Sequence, residues 1–201
     1  MRQTEIHVEQ TMQTRKLVTI PLLAAVGVIL QMLEFPLPVI PAFLKLDFST
    51  LPGLIGGLVF GPVAGMMIEL LKNALHMLLH NTDGLLVGEV ANFVAGTIFI
   101  WSAVFLQRKG QGKSGFVLGL ALGTVLMTIA MSVANVYFLM PAYAALSRLP
   151  LDQMLESMHI DSLWSLILYA IAPFNLIKGL ALSLVAYPIY SKIAAKLRIG
   201  G

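Results

Sequence analysis

Apolar residues along this chain gather into six runs, each closed by residues that break a helix. The first, 17–34, stops where Pro36, Pro38 and Pro41 crowd into the stretch after Glu34, and proline lacks the N–H that a helix interior requires. The second, 50–60, is glycine-rich and ends at Gly61-Pro62, a tight turn that hairpins it onto a third run over 63–79. The fourth covers 86–106, the fifth 115–140 and the sixth 162–191. A bilayer core about 30 Å thick takes about 20 apolar residues per helix, so six helices use roughly 120 residues and leave about 80 for loops and ends. The pattern therefore predicts an all-α integral membrane protein of six transmembrane helices, one membrane domain over 1–201.

Composition agrees. Of the 201 residues 58% are hydrophobic and 11% charged, whereas soluble domains sit near about 45 to 50% and about 25%. Without cysteine there is no disulfide framework, thiolate metal site or thiol nucleophile. Residues 1–16 mix acids and bases and precede no small-residue cleavage site, which reads as a cytosolic tail before an uncleaved first helix.

The net charge of +3 would suggest a nucleic-acid partner in a soluble chain, but the bases sit at helix ends. Arg15, Lys16, Arg108, Lys109, Lys113, Lys192, Lys196 and Arg198 all fall on one side of a six-helix arrangement, with no acid among them. Glu34, Asp47, Asp83, Glu89, Asp152, Glu156 and Asp161 fall on the other side or near it, with Lys45 and Arg148. Cytoplasmic loops carry the excess of Lys and Arg, which places both termini in the cytosol. The long, varied connections 35–49 and 141–161 are then external, so ligand capture is expected from outside.

Motifs narrow the chemistry. Gln107–Ser114 ends in Gly-Lys-Ser but lacks the first glycine and the preceding strand of a phosphate-binding loop, so any ATPase belongs to another chain. Gly115, Gly119 and Gly123, like Gly53 and Gly57, recur every four residues, a spacing that lets helices approach closely inside the bundle or across a subunit interface. Ionisable groups inside apolar runs are costly and mark function by default. Glu69 and Lys72 share a helix face and can neutralise each other. His76 and His80 continue that face without a third ligand, so no metal site is expected. Glu89 pairs by spacing with Asn92, and Asn175 with Lys178. Lys178 has no acid near it in sequence and needs a partner from elsewhere. Pro173 frees a backbone carbonyl one turn earlier.

Five segments then carry a family resemblance over about residues 15–195. They are Leu44–Ser49; Phe60–Gly65 with Glu69–Asn73; Gly88–Phe93; Met131–Tyr137 with Pro141-Ala142-Tyr143; and Pro173–Gly179. Together they resemble the riboflavin-specific substrate-binding (S) components of energy-coupling-factor (ECF) vitamin transporters. The resemblance implies a multi-pass subunit of a prokaryotic plasma membrane that captures riboflavin from outside. A transmembrane coupling protein and two ATPase subunits would drive uptake, and the chain itself would have no catalytic residue or cofactor. It also implies Leu44, Lys45, Leu46, Asp47 and Phe48 as lid residues, and Asn92, Asn135, Asn175 and Lys178 as pocket residues, with Glu89 beside them. An asparagine amide offers the donor and acceptor that a flavin imide edge requires, and Asn135 is the first choice for it. Phe48, Phe93 and Tyr137 are expected against the ring, and Asp47, Lys45 or loop backbone against the ribityl hydroxyls. The family's first-helix docking alanines, four apart, are absent here; Ala24, Ala25 and Gly27 keep that surface small and are the docking candidates.

Three other functions remain in view. Another vitamin would keep the fold and change the pocket. An autonomous secondary transporter would be expected to show internal inverted symmetry, and none is clear. An intramembrane enzyme would need an acid–base or metal constellation, and the nearest approach is Glu69, His76 and His80.

Overall fold

Helices form at all six predicted runs, and the polar and proline-rich breaks become the connections. The computed structural model describes residues 2–38, 40–79 and 86–199, and of 2–12, 111 and 195–199 the backbone alone. His80 and Asp83 lie outside the described residues, as do the side chains of Lys196 and Arg198. In chain order the elements are α1 (Arg2–Met32), β1 (Phe35–Pro36), β2 (Lys45–Leu46), α2 (Thr50–Phe60), α3 (Pro62–Leu79) and α4 (Val87–Leu106). They continue with α5 (Gly112–Ala134), α6 (Met140–Ser147), α7 (Leu151–Ser157), α8 (Leu163–Leu166) and α9 (Ala172–Ile199). The predicted tail is a continuation of α1, since no proline or glycine interrupts 2–20. Among the described residues four helical stretches are long and apolar enough to cross a membrane: Gln13–Met32, Val87–Gly110, Gly112–Ser147 and Leu163–Ala194.

Neighbouring helices pack in the sequence α1, α3, α4, α5, α9, with α2 filling the space between α1, α3, α4 and α9. Glycine sets the approach. A Cβ on Gly119 of α5 would lie 2.7 Å from the Cα of Ala103 on α4, and one on Gly65 of α3 would lie 2.7 Å from the Gly53 carbonyl on α2. The four-residue glycine spacings therefore serve packing within the bundle. Large side chains such as Phe99, Ile100, Phe116 and Met127 are fully buried in the core, while Leu22, Ile29, Leu118 and Leu184 point outward as a lipid-facing surface does. Gln107–Gln111 joins α4 to α5 through a kink with left-handed Gly110 (φ 85°), and no strand precedes it, so this stretch is a turn.

Two wide π-helical turns interrupt the last long helices. One spans Asn135–Leu139 and the other Ile167–Ile171. Each ends two residues before a proline, Pro141 and Pro173. Proline removes the N–H that an α-helix would return to the carbonyl four residues earlier, and the wider turn accommodates that loss. The predicted freed carbonyl before Pro173 is expressed as this turn. The connection 35–49 forms a minimal antiparallel hairpin pairing Phe35 with Leu46 and Pro36 with Lys45. Its C-terminal part then enters the bundle, with Leu46, Asp47 and Ser49 buried ahead of α2. The connection 141–161 is mostly helical, as α6 and α7.

Candidate ligand-binding site

The polar residues of the later helices converge on one cavity. Asn92 of α4, Asn135 at the end of α5, and Asn175 and Lys178 of α9 line it together with Glu89, Leu44 and Lys45. The π turns place the asparagines. Asn135 opens one turn and Asn175 stands four residues beyond the other, each donating through Nδ2 at 2.8 Å to the carbonyl four residues before it, Met131 and Ile171 respectively. An amide has two N–H donors and an accepting oxygen, so each keeps hydrogen-bonding capacity for a ligand.

Lys178 finds its acid 131 residues away. Its Nζ lies 2.9 Å from Asp47 Oδ2 and donates to Asn92 Oδ1 at 3.1 Å. Asp47 Oδ1 also accepts the Ser49 N–H at 2.8 Å. The buried Asp47 carboxylate is thus compensated by the Lys178 ammonium and by a backbone N–H. The polar chain continues, because Lys72 donates to Ser49 Oγ at 2.8 Å and pairs with Glu69 at 2.8 Å. Glu69 is enclosed by glycines: a Cβ at Gly96 would lie 2.5 Å from its Oε2, and one at Gly53 3.0 Å from its Oε1.

On the α1–α3 side, Glu89 is the junction. Gln31 Nε2 donates to Glu89 Oε2 at 3.0 Å, and His76 Nδ1 lies 2.7 Å from Oε1. Glu34 holds Lys45 at 2.7 Å. Apolar lining comes from Phe43, Met131, Leu139, Tyr143 and Phe174. The Phe43 and Tyr143 rings sit 6.3 Å apart at 55°, linking the hairpin loop to α6.

Several sequence expectations are relocated. Tyr137 does not reach the cavity; it is 68% exposed on the outer surface, because the π turn rotates the residues after Asn135. Phe48 packs against the bundle core and Leu46 is buried, so with Asp47 they anchor the loop and do not line the cavity. Phe93 is also absent from the lining. Ala24 and Gly27 face inward, Gly27 against the Lys72 stem and the Ser49 carbonyl. Three residues apart, they share a helix face, which leaves Ala25 as the outward member of the trio. Gln31, His76, Phe43 and Tyr143 were not foreseen as lining. A lone glutamine near the end of an apolar run is a readable signal for Gln31, and His76, one turn beyond Lys72 on the same helix face, is another.

The chain matches the family model for the ECF transporter, substrate-specific component, over residues 15–190. The chain belongs to this family. Among its curated relatives, Riboflavin transporter FmnP of Bacillus subtilis (strain 168) is 37% identical over 183 residues, covering 90% of this chain and 93% of the relative. Riboflavin transporter RibU of Staphylococcus aureus (strain TCH60) is 35% identical over 186 residues, covering 92% and 94%. A solved S component of a bacterial ECF transporter superposes with a TM-score of 0.74 at 33% identity, covering 92% of this chain and 98% of that one. The all-α membrane bundle described above is thus an S-component fold.

Proposed function

We propose that this S component binds riboflavin from the external side of a prokaryotic plasma membrane and hands it to an ECF module, a transmembrane coupling protein with two ATPase subunits. The observation that carries the reading is the convergence of Asn92, Asn135, Asn175 and Lys178 on one partly aromatic cavity beside a buried loop anchor. A planar heterocycle with an imide edge suits such a lining, with amides for the edge and Phe174 and Tyr143 for the ring. The names of the relatives, riboflavin transporters, support the same ligand.

The topology follows the charge asymmetry, with six passages and both termini cytosolic. At 11 residues α2 is only about 16 Å long, and the buried stretch Leu46–Ser49 supplies the rest of that passage. The outward stripe of α1, Leu22, Ala25 and Ile29, is the surface offered to the coupling protein. Substrate is carried unchanged, and the energy comes from the partner ATPases.

Two measurements test this. The detergent-purified protein should show flavin absorbance or acquire it from riboflavin, and thiamine or biotin should not compete. In cells lacking the coupling module, no concentrative uptake is expected; robust accumulation would instead indicate an autonomous transporter.

A further inference from the structure

The cavity's two sides offer a ligand different chemistry. The α5–α9 side carries donors and acceptors, in Lys178 and the amides of Asn135 and Asn175. The α1–α3 side is dominated by acceptors gathered at one carboxylate, Glu89, which Gln31 Nε2 meets at 3.0 Å and His76 Nδ1 at 2.7 Å. Gln31 is wholly buried, lines the cavity, and has an Oε1 with no hydrogen-bond partner among the described residues. A buried amide oxygen without a donor is costly, and a ligand hydroxyl removes that cost. Glu89 remains 15% exposed, and each carboxylate oxygen accepts more than one hydrogen bond. Lys45 is paired with Glu34 and Lys178 with Asp47, while Glu89 adds a further carboxylate held by Gln31 and His76.

Building on the riboflavin reading, we infer that Gln31, His76 and Glu89 form a hydroxyl-binding subsite that takes the ribityl chain and disfavours an anionic ester at the same place. The loop groups first expected there are committed elsewhere, Asp47 to Lys178 and Ser49, and Lys45 to Glu34. Hydroxyl donors suit an acceptor-rich wall, whereas a phosphate brings like charge toward Glu89.

The full chain in detergent would be titrated with riboflavin, with lumiflavin, which keeps the ring and lacks the hydroxylated chain, and with riboflavin 5′-phosphate. Glu89→Gln and Gln31→Met should each weaken riboflavin by about tenfold or more, as lost hydrogen bonds to a buried polar group do, and leave lumiflavin affinity unchanged. Glu89→Gln should also narrow the preference for riboflavin over its phosphate by about tenfold, the effect of removing one like charge. Loss of riboflavin and lumiflavin in parallel would overturn the subsite, as would unchanged riboflavin affinity or an unchanged phosphate preference. A folded wild-type chain that binds neither flavin overturns the riboflavin reading itself, an outcome distinct from failure of the subsite.

Discussion

Among the described residues two lysines, Lys72 and Lys178, are buried, and their surroundings differ in an instructive way. Lys72 pairs with Glu69 three residues away on the same helix, among glycines of α1, α2 and α4, and neither residue touches the cavity. Lys178 pairs with Asp47 across 131 residues, borders the cavity, and shares its ammonium with Asn92. Both pairs satisfy the demand that a buried charge be compensated. The first needs only the helix repeat to form. The second forms only when the hairpin loop is folded into the bundle, so it ties loop position to the cavity. Ser49 joins the two by accepting from Lys72 while donating its N–H to Asp47.

The sharpest break in this comparison is Lys178→Met. It strands Asp47 in the interior, at a cost of about 3 to 5 kcal/mol in stability, and it weakens riboflavin by about tenfold or more. Adding Asp47→Asn should restore most of the thermal stability in detergent without restoring affinity. A double variant that regains both would make Lys178 a structural residue only. Lys72→Met should cost a similar amount of stability, about 3 kcal/mol or more, while the fraction that stays folded binds riboflavin within about twofold of wild type, a shift inside the usual spread for remote sites. Gly96→Ala is smaller. Its Cβ would meet Glu69 Oε2 at 2.5 Å, and such overpacking costs about 1 to 3 kcal/mol, read as a lower melting temperature. Tyr137→Ala, at a position 68% exposed, should change neither stability nor affinity measurably.

The contrast also shows which parts were legible beforehand. Helix positions followed from apolar runs and proline or glycine breaks, because lipid forces backbone polar groups to be satisfied within helices. The Glu69–Lys72 pair was readable from its spacing of three. The need of Lys178 for a distant acid was readable too, but its identity was not, since Asp47 arrives from a loop whose course depends on tertiary packing. Tyr137 was misplaced because a π turn shifts every later side chain around the helix, and proline two residues beyond it was the only trace in sequence. Ala24 and Gly27 pack inward, a placement the sequence leaves open because small residues serve internal packing as readily as docking.

The most direct test of the account is a calorimetric titration of riboflavin into flavin-free protein, wild type beside Lys178→Met and Lys72→Met. The account predicts one saturable site in the wild type, retained by folded Lys72→Met and lost or much weakened in folded Lys178→Met. Equal affinity in all three, or no binding by a folded wild type, would contradict it.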